Sequence, residues 1–481
     1  MLFNSMTFGV FLVIVFLCYY IVPHKYRWAF LLLASYAFYM NLHLWYGILL
    51  FLTTLITYTL ALSLEKAQSA RQKKKTLFFG ILPFLLVLLF FKTANPLITL
   101  FNQKLAVSSA STGGLALQPL TLTIVLPAGI SFYFFQSLGY LIDVYRGQQK
   151  AETHFGYYAL FVSFFPQLLS GPIGRAKDLL PQYKKERPFQ YDTVTYGLKL
   201  MAWGYFKKLV IADVFAITVN QIYHNVHSYV GLAFIIVTVM FAIEIYCDFS
   251  GYSDIAIGCA KLFGVDLMIN FKSPYFSHSI KEFWSRWHIS LSSWFRDYVY
   301  IPLGGNRVSK WRHCLNLLIT FLVSGFWHGS ALTYIVWGAL HGLLQIVETF
   351  LYPKGKQRRK HFWQLPLTFL LLCFTWIFFR AESMGDAFWV ISRLFWDASR
   401  PLNYLKTAVI CLDLSYVQAM GMGLAVLLLG IYDFFSLKYD VIRVISRQKC
   451  FIRWPVYTLL LIIIALFSAK GVATEFIYFQ F

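Results

Sequence analysis

The sequence predicts an all-α protein that crosses a membrane several times, and three observations carry that reading. Hydrophobic residues make up 58% of the 481 and charged ones only 13%, with a mean hydropathy of +0.60, outside the balance of a chain that folds in water. Apolar runs long enough to cross roughly 30 Å of hydrocarbon recur from end to end, so a single integral membrane domain is expected over residues 1–481. The cations behind the net charge of +21 fall in short clusters between those runs. That spacing marks cytoplasmic loops and argues against a nucleic-acid surface.

The first run, TFGVFLVIVFLCYYIV, has no basic residue before it and has His24, Lys25 and Arg27 after it. It lacks the charged leader of a signal peptide and is expected to remain as the first span. Leu17 occupies the place where a lipoprotein cleavage box needs a small residue before Cys18, so no lipid anchor is expected. Four clusters, 65–75, 175–187, 354–360 and 438–453, are placed inside together with HKYR at 24–27, which puts the N-terminus outside. NQKLAVSSASTGGLALQP (102–119) reads as an outer loop. PQLLSGPIGR (166–175) interrupts an apolar run with two prolines and two glycines, as irregular backbone beside a cavity does.

From 274 to 312 no run could span. Trp284, Arg286, Trp287, Trp294, Arg296 and Tyr298 suit amphipathic helices at the interface, a cytoplasmic-side platform with the GGN turn (304–306) at its end. Two helices, about 314–326 and 331–351, should follow, joined by SGFWHGSA, with Gly325 and Gly329 letting backbones approach. On this reading the first helix is short and His328 lies partway through the membrane.

Ionisable groups within spans are costly and are functional candidates for that reason. Here they are Glu244, Asp248, Asp254, His328, His341 and Glu348. A neutral imidazole accepts a proton at one nitrogen and donates at the other, and its ordinary pKa of about 6.5 suits transfer near neutrality. His328 is the general-base candidate, because Ser324, Gly325, Trp327, Gly329 and Ser330 open space beside it; a packed histidine bonded to a neighbouring helix is the alternative. For His288 interfacial structure and catalysis are both open, and for His341 core packing is favoured. Asp248 and Asp254 could face one cavity, cap a helix or pair with a platform arginine. The seven cysteines form no CxxC and no zinc set, so no metal site is expected. The ending FIYFQF is either an aromatic anchor or a segment that folds back and offers the Tyr478 hydroxyl.

The run from CDFSGYSDIAIGCAKLFGVD to WFRDYVYIPLGGNR, followed by FLVSGFWHGSALTYIVWGALHG, closely resembles the membrane-bound O-acyltransferase family. The likeness is most specific over 244–342, with FFPQLLSGPIGR upstream and FFRAESMGDA downstream. Within the family the chain resembles the branch of alginate and peptidoglycan O-acetyltransferases. That resemblance implies a ring of tilted helices around a central cavity in a bacterial inner membrane, with further spans over 361–481. It implies acetyl-CoA as donor, an extracytoplasmic polysaccharide as acceptor and an exported SGNH-type partner. The family's invariant histidine falls on His328, and a second histidine of the teichoic acid D-alanyl branch corresponds to His288. Trp327, Ser324, Asp248, Asp254, Arg286, Arg296 and Asn306 are the expected cavity residues. FIYFQF resembles the ending of a small peptide of the D-alanylation system, which implies that Tyr478 holds an acyl group in transit. D-alanyl transfer from a carrier protein and a lipid or polysaccharide transporter are the alternatives.

Overall fold

The protein, seen in a computed structural model, is described over residues 1–112, 124, 126–352, 361–468 and 476, with backbone alone over 106–112. The cluster at 354–360 and Tyr478 lie outside the described residues. The described residues are mostly helical with no strand among them, which agrees with the expected class. The chain opens with α1 (Met6–Ile21), α2 (His24–Met40), α3 (Leu44–Lys66), α4 (Ala70–Thr112), α5 (Ile130–Tyr145), α6 (Phe155–Ser163), α7 (Phe165–Leu168) and α8 (Ala176–Lys184). After these come α9 (Tyr191–Tyr205), a π-helical turn (Phe206–Ala212), α10 (Asp213–His224) and α11 (Leu232–Leu262). Two short helices follow, α12 (Ile280–Arg286) and α13 (Ile289–Phe295), then α14 (Lys310–His328), α15 (Leu332–Leu351) and α16 (Gln364–Arg380). The last are α17 (Met384–Arg393), α18 (Pro401–Leu412), α19 (Tyr416–Ser436), α20 (Val441–Ser446) and α21 (Cys450–Phe467).

Among the described residues six helices are long and apolar enough to cross a membrane, namely α3, α4 to Leu105, α11, α15, α19 and α21, with α1 and α16 apolar but shorter. This is a multi-pass membrane protein. No residue of α21 is buried, as suits an apolar helix whose solvent is lipid.

Two compact units divide the chain, one of Trp28–Leu169 with Arg175–Lys184, the other of Met1–Arg27, Ser170–Gly174 and Lys185–Phe481. In the smaller unit nearly all of α5 is buried, and buried polar groups are satisfied across helices: Tyr158 donates to Thr57 at 2.7 Å and the Phe165 N–H to Ser35 at 3.1 Å. The larger unit is built around α11. Gly197 and Gly204 of α9 face Gly258 and Gly251 of α11, so that a Cβ on Gly204 would lie 2.7 Å from the Gly251 carbonyl oxygen and one on Gly251 2.8 Å from that of Gly204. Small residues at this seam let the backbones touch.

Two expectations need correction. Residues 102–112 continue α4 instead of forming a loop, because no glycine or proline occurs there before Gly113. The helix expected at 314–326 runs from Lys310 to His328, about 28 Å at 1.5 Å per residue, and the join shrinks to Gly329–Ala331. Gly325 does not break it, since α15 packs against its bare backbone: a Cβ there would collide with the Tyr334 carbonyl oxygen, and one on Gly338 with that of Phe321. The irregular backbone expected around PQLLSGPIGR is present from Leu169 to Arg175.

Candidate active site

His328 is the last residue of α14, beside the carbonyls that lack helical partners at its C-terminal end. The ring is 3% exposed. Trp327, Trp337 and Phe379 surround it with ring centroids at 4.7, 5.0 and 5.3 Å. Trp327 also contacts His288, at 6.2 Å, so one indole adjoins both histidines.

His288 precedes α13 in a left-handed conformation, φ 42°, and is 1% exposed. Asn270 organises it. The Asn270 Oδ1 accepts from the Ser290 N–H at 3.1 Å and the Ser290 hydroxyl at 2.9 Å, and it lies 3.2 Å from His288 Nδ1. An amide oxygen only accepts, so Nδ1 carries the hydrogen and Nε2 holds the lone pair. Burial pushes this imidazole down to about 3, so it is neutral at ordinary pH and a weak proton acceptor. Its geometry suits orientation or hydrogen bonding better than taking a full proton.

His341 is completely buried, and its two nitrogens are both engaged. The Trp284 indole N–H donates to Nδ1 at 3.2 Å, so Nε2 bears the hydrogen and donates to the Thr375 hydroxyl at 3.1 Å, whose own proton goes to the Leu372 carbonyl. This chain of bonds fits a packing role. Glu348, farther along α15, accepts the N–H groups of Ile280 and Lys281 at 2.8 and 3.1 Å and so anchors the start of α12.

A second polar group lies on α11. Lys207 Nζ reaches Asp254 at 2.7 Å and the Ser250 hydroxyl at 2.9 Å, while Lys208 Nζ bridges Asp248 at 2.6 Å and Asp213 at 2.8 Å. Both lysines stand in the π-helical turn, and π-bulges are frequent at functional sites. Phe249, between the two carboxylates in sequence, lies edge-on to His288 at 4.5 Å. Beyond it Phe476, 3% exposed, packs on Phe249 at 5.6 Å and on Tyr252 at 4.6 Å. Phe476, two residues before Tyr478 in sequence, is therefore seated beside the Phe249 ring that adjoins His288.

A model of the membrane-bound O-acyltransferase family matches residues 149–362. Similarity extends well beyond that region. The probable alginate O-acetylase AlgI of Pseudomonas aeruginosa is 37% identical over 435 residues, covering 90% of this chain and 81% of the relative. The chain belongs to the membrane-bound O-acyltransferase family. The peptidoglycan O-acetyltransferase of Helicobacter pylori is 33% identical over 94% of this chain and 91% of its own length. The teichoic acid D-alanyltransferase of Streptococcus thermophilus is 34% identical over 48% of this chain and 60% of its own. As a member of this family the chain is an O-acyltransferase, and the transporter alternative is set aside.

In this acyltransferase His328, His288, Trp327 and Ser324 are all buried in the larger unit. Asp254 pairs with Lys207 and Asp248 with Lys208, cations of the π-helical turn. Arg286 pairs with Glu282 at 2.8 Å and Arg296 with Asp297 at 2.8 Å, each within its own segment. Asn306 is exposed in its turn. Sequence reasoning missed Asn270, an ordinary loop asparagine in INFKSPY. It also missed Lys207 and Lys208, whose signal was available: FKKLVIAD places two cations and a carboxylate inside an apolar stretch.

Proposed function

We propose that this acyltransferase moves an acetyl group from cytoplasmic acetyl-CoA towards an extracytoplasmic cell-envelope polysaccharide, with an exported SGNH-type acetyltransferase completing the transfer. One observation carries the choice of acyl group: the alginate and peptidoglycan relatives named above for O-acetyl transfer align with 90% and 94% of the chain, whereas the D-alanyltransferase aligns with 48%. In the reaction a hydroxyl oxygen attacks the thioester carbonyl carbon while His328 accepts its proton. The carbon–sulfur bond breaks, and the imidazolium returns the proton to the departing sulfur. His288, held by Asn270 in one tautomer, orients the reacting groups and bonds to them through Nε2.

Tyr478 supplies the hydroxyl and carries the acetyl group as an ester before its onward transfer. The seat of Phe476 on Tyr252 and Phe249 supports this role, because two residues of chain span at most about 7 Å. Membranes carrying the full-length protein test the proposal with labelled acetyl-CoA. His328→Ala should retain the folded protein and abolish transfer, and Tyr478→Phe should do the same while keeping the ring. Retained transfer in the first variant removes the base role, and in the second it leaves only the anchor. Turnover with a D-alanyl carrier protein and none with acetyl-CoA would replace the acetyl reading.

A further inference from the structure

Three basic segments far apart in sequence meet in the larger unit. Arg27 donates through Nη1 to the Arg187 carbonyl at 2.7 Å, across 160 residues, and Arg443 joins Arg187 in lining one cavity. The cavity measures about 390 Å³, within the ~300–1,000 Å³ of small-ligand sites. Lys185, Arg187, Lys261 and Arg443 line it against two carboxylates, Glu186 and Asp266. Lys261 is engaged by Asp266 at 2.6 Å, and Arg443 approaches Asp440 through Nε at 3.2 Å with its guanidinium over the Tyr196 ring at 5.4 Å. Positive charge therefore exceeds negative at the wall. Gly264, with φ +73°, closes the turn against Arg187: a Cβ there would lie 3.2 Å from that of Arg187. The turn is shaped around the arginine.

Exposed apolar side chains adjoin the polar lining. Phe189 and Tyr191, which flank the lining residue Gln190, are 53% and 71% exposed, and Ile21, next to Tyr20, is 80% exposed. Cations in a recess rimmed by exposed aromatic and aliphatic side chains match an amphiphile with an anionic head and an apolar tail. The positive-inside assignment places all three segments on the cytoplasmic face, where anionic lipids are enriched.

We propose that this cavity binds the phosphate headgroup of an anionic phospholipid. The guanidinium groups of Arg187 and Arg443 hold the phosphate oxygens, and the acyl chains lie along the exposed side of α1. The site is separate from the acyl-transfer reading and is tested without measuring transfer.

The test uses the full-length protein in zwitterionic detergent, titrated at 0.15 M salt with phosphatidylglycerol or phosphatidylcholine bearing the same fluorescent tail. Phosphatidylglycerol should bind at least tenfold more tightly. The double variant Arg187→Gln/Arg443→Gln should lower its affinity to the phosphatidylcholine level, while Arg187→Lys/Arg443→Lys retains part of the preference and shows that the fold survives. Arg307→Gln/Arg312→Gln, exposed cations elsewhere, should leave it unchanged. Equal binding of the two lipids, or an undiminished preference in the glutamine variant, overturns the proposal. Displacement of the lipid by submillimolar inorganic phosphate or coenzyme A overturns the lipid assignment and makes the phosphate's source a soluble one.

Discussion

Asn270 and His288, eighteen residues apart, meet at 3.2 Å, and the amide oxygen decides which imidazole nitrogen holds the lone pair. Asn270→Ala leaves the Asn270 backbone carbonyl to accept from Ile289 but strands the His288 N–H. Transfer should fall at least about tenfold, the equivalent of ~1.4 kcal/mol. Asn270→Asp keeps the acceptor and adds charge that favours the imidazolium, so its activity profile should move to higher pH. An unshifted profile in the aspartate variant removes the positioning role.

His288 also predicts a pH dependence of stability. Its folded-state pKa is pushed down to about 3 by burial, against about 6.5 in an unfolded chain. Between those values the unfolded state binds more protons, so this contribution is fully present above pH ~6.5 and is lost as pH falls towards 3. The melting midpoint in detergent should be flat above neutrality and decline below it. His288→Asn, which tolerates the positive φ, should flatten the decline, and an identical slope in both proteins would contradict the assignment.

Lys208 holds two buried carboxylates, Asp213 and Asp248, apart. Lys208→Met removes the cation and leaves them facing each other, at a cost of about 3–5 kcal/mol. Adding Asp248→Asn should restore part of the lost thermal stability. If the double variant is no better than the single one, the carboxylates are not the source of the loss.

Gly338 faces the Phe321 carbonyl across the α14–α15 seam. Gly338→Ala overpacks that seam by about 1–3 kcal/mol and moves the helix that ends in His328. A lower melting temperature should accompany slower transfer. Gly430→Ala, at a position in α19 with nothing within 4 Å, is the matched control and should lower neither.

Local composition was enough to make the membrane class and the all-helical fold legible, because hydrocarbon thickness acts on each run independently. The 102–112 stretch was misread for a related reason: polar residues resemble a loop, yet nothing in them stops a helix. The pairing of Asp248 and Asp254 was not legible. Their partners come from another helix, held close enough by the Gly197/Gly204 and Gly251/Gly258 contacts for lysine side chains to reach.

By itself the sequence determined that the chain enters lipid repeatedly and which rare polar residues it carries. Tertiary structure alone decided which side chains come together: Asn270 with His288, Trp327 with both histidines, and Arg187 and Arg443 on the wall of one cavity. The physical reason is that transfer into hydrocarbon depends on one segment's composition, while a hydrogen bond or a charge pair depends on separations of about 3 Å that only helix packing sets.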